Sequence, residues 1–138
     1  MTNREWIEAF LGGSAFAVVG ASRDRNKYGN KVLRCYMMHD RTVYPVNPNA
    51  TSVEGLHCYP DLASVPRPLH GVSVITPPAV TERILEDLPA SGAGHVWMQP
   101  GAESERAVAR ARALGLNVIS GGPCLLVALG FDETWGSA

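Results

Sequence analysis

The run Phe16-Ala17-Val18-Val19 is continuously apolar and stops at Gly20, after which come Ala21-Ser22-Arg23-Asp24-Arg25-Asn26-Lys27. A run so short and so free of alternation predicts a central strand buried on both faces, the signature of a parallel α/β sheet. Such a strand needs parallel neighbours and helices on both sides, so it constrains the rest of the chain. A helix starting near Lys27 would carry Val32, Leu33, Tyr36 and Met37 on its inner face. The unpaired amides at that helix start, with the positive end of the helix dipole, attract anions. Arg23, Arg25, Lys27 and Lys31 place four cations around the same turn. That is more than one diphosphate requires and suits a ligand with an additional phosphate.

The remaining segments repeat the alternation. Glu5 to Leu11 has helical spacing, with Thr2 or Asn3 to cap it and Gly12-Gly13 to end it, so residues 1–13 predict a helix packed on the domain. A second strand, Arg41 to Val46, breaks at Pro45 and Pro48 into the turn Pro45-Val46-Asn47-Pro48-Asn49. From there to His70 the chain reads as irregular, a shortened crossover with at most a short helix over Asp61 to Val65. Val72 to Ile75 predicts a third strand running into Thr76-Pro77-Pro78, and then a helix over about Val80 to Leu88. A fourth strand, His95 to Met98, ends at Gln99-Pro100-Gly101 before a helix over Glu103 to Leu114. Asn117 to Ile119 gives a fifth strand, and Gly121-Gly122-Pro123-Cys124 a final turn before Leu125 to Leu129. The pattern predicts one Rossmann-like domain over residues 1–138, a doubly wound parallel sheet of about five strands with helices on both faces. In such sheets ligands bind at the carboxyl edge of the strands. The turns there nominate Gly20, Ala21, Ser22, Arg23, Arg25, Lys27, Tyr28, Val46, Asn47, Pro48, Thr76, Pro77, Pro78, Gln99 and Gly101 as the wall of one site.

The formal net charge of -1 argues against a nucleic-acid binder, whose basic footprint normally dominates the whole domain. The basic cluster is local, as a small anionic ligand would need. No apolar run is long enough for a signal peptide or a membrane span, so a cytoplasmic location is expected. Three cysteines with no Cys-x-x-Cys spacing predict free thiols and no metal site. His39, His57, His70 and His95 sit in no catalytic pattern and read as structural. Nothing nominates a general base, so a binding module is expected and an enzyme is not.

A dinucleotide turn would read G-x-G-x-x-G and be followed by an acid at the end of the second strand. Ser22 stands where the second glycine would be, and the second strand ends in Val46-Asn47. Both departures count against NAD, although Arg23 and Arg25 could accept a phosphorylated ribose. An NADP-dependent oxidoreductase, or another nucleotide-binding enzyme, is therefore the alternative. The phosphate-loop signature G-x-x-x-x-G-K-[ST] is absent from the sequence.

Four blocks in order carry a family resemblance: Val19 to Asp24 with Lys27-Tyr28-Gly29, then Tyr44 to Pro48, then Thr76-Pro77-Pro78, then Val96 to Gly101. Together they resemble the small stand-alone coenzyme A-binding proteins, which are similar to the N-terminal CoA-binding domain of the succinyl-CoA synthetase alpha subunit. The resemblance spans roughly residues 10 to 130. It implies that the first turn holds CoA phosphates, that Val46, Asn47 and Pro48 border the nucleotide, and that Thr76, Pro77 and Pro78 border the pantetheine arm. The surplus positive charge would then answer the 3'-phosphate. The resemblance also sets Cys124 as a possible contact of the CoA thiol. The synthetase's phosphorylated histidine belongs to a further domain that this chain is too short to contain. The expectation is a CoA or acyl-CoA binder acting as a carrier, a sensor, a homodimer or the partner of an enzyme.

Overall fold

The apolar run forms strand β1 (Ala15–Val19), at the heart of a computed structural model that describes residues 1–136. Before it lies helix α1 (Asn3–Leu11), and after it come α2 (Tyr28–Met38) and β2 (Thr42–Val46). A hairpin of two short strands, β3 (Ser52–Val53) and β4 (Leu56–His57), leads to β5 (Gly71–Val74). Then follow α3 (Pro78–Ile84), α4 (Leu88–Ser91), β6 (His95–Met98), α5 (Glu105–Ala113) and β7 (Asn117–Ile119). The five long strands pair in the order β2-β1-β5-β6-β7, every pairing parallel. This is the expected doubly wound, Rossmann-like sheet.

Alternation along β1 divides the core. Ala17 and Val19 face one layer with Val72, Val96, Leu85 and Ala107, while Phe16 and Val18 face the other with Val32, Leu33, Tyr36 and Trp97. The loop after β1 therefore leads to a helix on one face and the loop after β5 to a helix on the other. The two loops diverge at their shared edge, which opens a crevice between the carboxyl ends of β1 and β5.

Local chemistry accounts for the ends of the elements. Thr2 and Glu5 form a reciprocal capping box at α1. Ser104 caps α5 through a hydrogen bond from the Ala107 amide, 3.0 Å. At the amino edge of the sheet, His70 Nε2 lies 2.9 Å from the Ala9 carbonyl and its ring packs 4.5 Å from that of His95. Phe10 meets both rings edge-on. Burial, and secondarily the neighbouring His70, holds the His95 imidazole below its usual range. The two histidines thus dock α1, far from the crevice.

Two stretches depart from the sequence reading. The helix expected over about Val80 to Leu88 starts at Pro78, ends at Ile84, and passes through a tighter turn, Leu85–Asp87, into α4. Pro89 has no amide hydrogen to continue an α-helical ladder from the preceding turn. Residues Thr51 to His57, read as irregular, contain the β3–β4 hairpin. Its turn places Glu54 at φ 50° and Gly55 at φ 80°, the doubly positive pattern of the tightest hairpins. Glutamate is not a usual residue for such a turn, so the sequence carries no hairpin signal there.

Candidate functional site

Two glycines build the crevice. Gly20 ends β1 at φ +96°, and a Cβ there would lie 2.2 Å from the Ile75 carbonyl oxygen, so the backbones of the β1 and β5 turns touch. A Cβ on Gly29 would lie 2.0 Å from the Gly20 carbonyl oxygen. Gly29 therefore lets α2 pack directly on the β1 turn, a task that the last glycine of a dinucleotide fingerprint performs at closer spacing. The N-terminus of α2 follows Lys27 with no side-chain cap.

The crevice has two lobes. A polar lobe of about 380 Å³ lies over the α2 start, lined by Gly20, Ala21, Ser22, Lys27, Tyr28, Gly29, Asn47 and Ile75. An apolar lobe of about 370 Å³ is walled by Val46, Leu62, Ile75, Val80 and Ile84, with Pro48, Pro60 and Pro77 around it and Asp61 and Asp87 among its lining residues. Gly20, Asn47 and Ile75 line both lobes. Each has a volume in the range of small-ligand sites. A larger groove of about 800 Å³ runs between α3 and α5, but the pairs Glu82–Arg106 and Glu86–Arg110 bridge its sides. It holds none of the residues singled out in the sequence.

The four cations of the first turn do not act alike. Arg25 pairs with Glu54 and donates to the Trp135 carbonyl at 3.1 Å, and Lys31 Nζ lies 2.7 Å from Glu133 Oε1. Arg23 and Lys27 are exposed and make no ion pair among the described residues. Asp24 turns inward on its own loop, accepting from the Asn26 amide at 2.9 Å, while Ser22 Oγ accepts from the Asp24 amide at 3.1 Å. Asn47 Nδ2 donates to the Ala21 carbonyl at 2.7 Å and its Oδ1 accepts from the Asn49 amide at 2.8 Å. Its amide thereby straps the β2 turn to the β1 turn. Thr76 and Pro77 line the apolar lobe, whereas Pro78 and Gly101 line neither lobe.

Gln99 and Cys124 line neither lobe and touch the polar one only through Tyr28. Gln99 is fully buried, and its Oε1 accepts from the Leu125 amide at 3.0 Å and from the Tyr28 hydroxyl at 3.1 Å. The Leu125 N–H fixes which end of the Gln99 amide is the oxygen. Tyr28 has one hydrogen, given to Gln99, so the short contact with Cys124 Sγ is one in which the thiol donates to the phenol oxygen. Burial, with the Cys124 contact second, raises the Tyr28 phenol well above its usual range and keeps it protonated. Gln99 Nε2 is buried without a partner among the described residues. Cys35 is buried against the Gly130 carbonyl, its thiol pushed up to about 12 by burial and secondarily by Cys124.

Sequence reasoning missed the support behind the turn. Asn30 and Arg34, both buried, lie one helical turn apart on the inner side of α2. Asn30 Nδ2 donates to the Ser22 carbonyl at 2.8 Å and to Glu54 Oε2 at 3.1 Å. Arg34 Nε donates to Asn30 Oδ1 at 2.6 Å, and its Nη2 to the Arg25 carbonyl at 2.9 Å. The available signal was spacing: Asn30 and Arg34 stand i, i+4 beside the apolar positions Val32, Leu33 and Tyr36.

A parallel sheet with an uncapped helix start and a two-lobed cleft at its switch point defines an α/β domain of Rossmann-like architecture. Within that class, the family described as CoA binding domain matches residues 14–130, and the chain belongs to it. A solved hypothetical protein from Pyrococcus horikoshii superimposes with a TM-score of 0.85 at 28% identity, covering 93% of this chain and 89% of that one. Part of a dinucleotide-forming acetyl-coenzyme A synthetase from Ca. Korarchaeum cryptofilum superimposes at 0.69 with 32% identity, over 78% of this chain and 25% of that one. An ADP-forming acetate–CoA ligase from Archaeoglobus fulgidus is 30% identical over 71 residues, which is 51% of this chain and 10% of the ligase. The chain thus spans a small part of these enzymes. Among the described residues, no helix is long and apolar enough to cross a membrane.

Proposed function

We propose that this protein binds coenzyme A or an acyl-CoA across the two lobes and performs no chemistry of its own. The observation that carries the reading is the junction of a polar lobe over the uncapped start of α2 with an apolar lobe of similar size. The polar lobe suits a diphosphate, held by the amides of Gly20 to Ser22 and of the first turn of α2, with Lys27 beside it. The apolar lobe suits the adenine ring between Val46, Pro48 and Pro77. Arg23, exposed and unpaired among the described residues, is then the side chain to meet the 3'-phosphate. Arg25 serves the loop through Glu54, and Asn47 acts by shape because its amide is engaged.

Titration calorimetry with CoA, dephospho-CoA and NADPH tests this reading. Binding of both CoA forms is expected, and Arg23→Ala should weaken CoA about tenfold with a much smaller effect on dephospho-CoA, the range of one charge-assisted contact. Equal losses for the two would reassign Arg23 to the diphosphate. Binding of NADPH with no response to CoA would overturn the proposal.

Cys124 marks the thiol end. Its contact with Tyr28, which lines the polar lobe, supports this assignment. Diamide should therefore couple CoA to Cys124, both thiols giving up their hydrogens to the oxidant and joining as a mixed disulfide. Mass spectrometry of unreduced protein is expected to find that adduct on the parent and not on Cys124→Ser. An unmodified parent would remove Cys124 from the site.

A further inference from the structure

The C-terminal segment Phe131–Gly136 packs against the loop after β1 and the first two turns of α2. Glu133 Oε1 sits 2.7 Å from Lys31 Nζ, and the Trp135 carbonyl accepts from Arg25 at 3.1 Å. The Glu133 carbonyl lies 3.4 Å from Arg34 Nη1, and the Phe131 ring stacks under that guanidinium at 5.1 Å from its centroid. Lys31 stands one helical turn beyond Lys27, the extended residue that precedes α2 and lines the polar lobe, and its amide donates to the Lys27 carbonyl at 3.2 Å; Lys31 itself lines neither lobe. The Glu133 carboxylate therefore rests one helical turn from the lysine that borders the open lobe.

We infer that Phe131–Gly136 is an internal counter-ion strap: the Glu133 carboxylate occupies Lys31 and is exchanged for an anionic group of the ligand. The inference rests on the proposed CoA reading for the identity of the ligand, but not for the strap's action on anions. With the strap seated, Glu133 takes up Lys31's charge and the Trp135 carbonyl takes up part of Arg25's donor capacity, leaving Arg23 and Lys27 to the ligand. With Glu133 displaced, Lys31 becomes available to a further phosphate. The strap thereby sets how many charges a ligand must bring before it binds well.

The test uses the full chain and two probes, CoA and inorganic tripolyphosphate, with the parent, Glu133→Gln, Lys31→Met and the double variant. Glu133 is exposed, and glutamine keeps its shape and its backbone carbonyl, so the fold should be unaffected. Glu133→Gln is expected to bind tripolyphosphate up to about fivefold more tightly, the range an exposed ion pair can supply. The gain should shrink as salt is raised and vanish in the Lys31→Met background. Unchanged or weaker tripolyphosphate binding in Glu133→Gln, or a gain that survives loss of Lys31, would overturn the strap. CoA separates the two readings. If tripolyphosphate follows the expected pattern while CoA binds no variant, the strap stands and the CoA proposal falls; the converse pattern leaves CoA binding and removes the strap.

Discussion

Gly29→Ala is expected to destabilise the protein by about 3 kcal/mol, the upper end of what overpacking usually costs, and, on the proposed reading, to lower affinity for CoA by an order of magnitude or more. On propensity alone the change should help, because alanine is favoured over glycine in a helix by roughly 1 kcal/mol. Sterics decide the sign. The added Cβ would lie 2.0 Å from the Gly20 carbonyl oxygen, 3.0 Å from its carbon and 3.4 Å from the Ala21 Cα, all backbone atoms that no rotamer change can move. Helix α2 would have to withdraw from the β1 turn by about 1 Å or more to restore ordinary contact distances. That withdrawal opens the junction where the helix amides and the Gly20 to Ser22 loop together face the polar lobe. Gly94→Ala is the control, since a Cβ there meets nothing within 4 Å. Denaturant unfolding and calorimetry on both variants check the claim. A Gly29→Ala protein within about 0.5 kcal/mol of its parent, the usual range of a neutral surface change, would show that α2 does not rest on this contact.

What the sequence made legible follows from periodicity and backbone chemistry. The run Phe16 to Val19 has no period because both faces are buried, which implied a parallel sheet, and the strand–helix alternation that follows implied its switch point. The turns at Gly20, Asn47 and Thr76-Pro77 were legible because glycine and proline mark where strands must stop, and these turns do converge on one cleft. The partners of the charged side chains were not legible. Arg25 is engaged by Glu54, a residue 29 positions away in a hairpin whose turn has glutamate where asparagine, aspartate or glycine is usual. Lys31 is engaged by Glu133 from the far end of the chain. Composition counted four cations at the turn, but only the tertiary fold distinguishes those that hold the loop from those that face the solvent. Gln99 was found by its position after β6, yet its burial and its bond to Tyr28 depend on where α2 begins.

Arg34 shows most directly how such hidden partners matter, and Arg34→Met should prove as disruptive as a core truncation, near 3 kcal/mol. The side chain is 1% exposed, and its guanidinium serves Asn30 Oδ1 and the Arg25 carbonyl, with the Glu133 carbonyl at longer range. Methionine fills the space of the stem but offers no donor, and each buried acceptor left unpaired costs about 1–3 kcal/mol. The loss should be local. Asn30, freed from Arg34, would no longer be oriented to hold the Ser22 carbonyl, so the loop from Ser22 to Lys27 should loosen while β6 stays protected. Hydrogen exchange separates this from a general loss of stability: amides of Ser22 to Lys27 are expected to exchange faster in Arg34→Met, with those of Val96 to Met98 little changed after allowance for the global shift. Arg34→Lys keeps the charge without the planar fork, so it should recover part of the stability but not the full protection of the loop. Uniform acceleration across both segments, or a methionine variant as stable as the parent, would mean that Arg34 fills space and does not position the loop after β1.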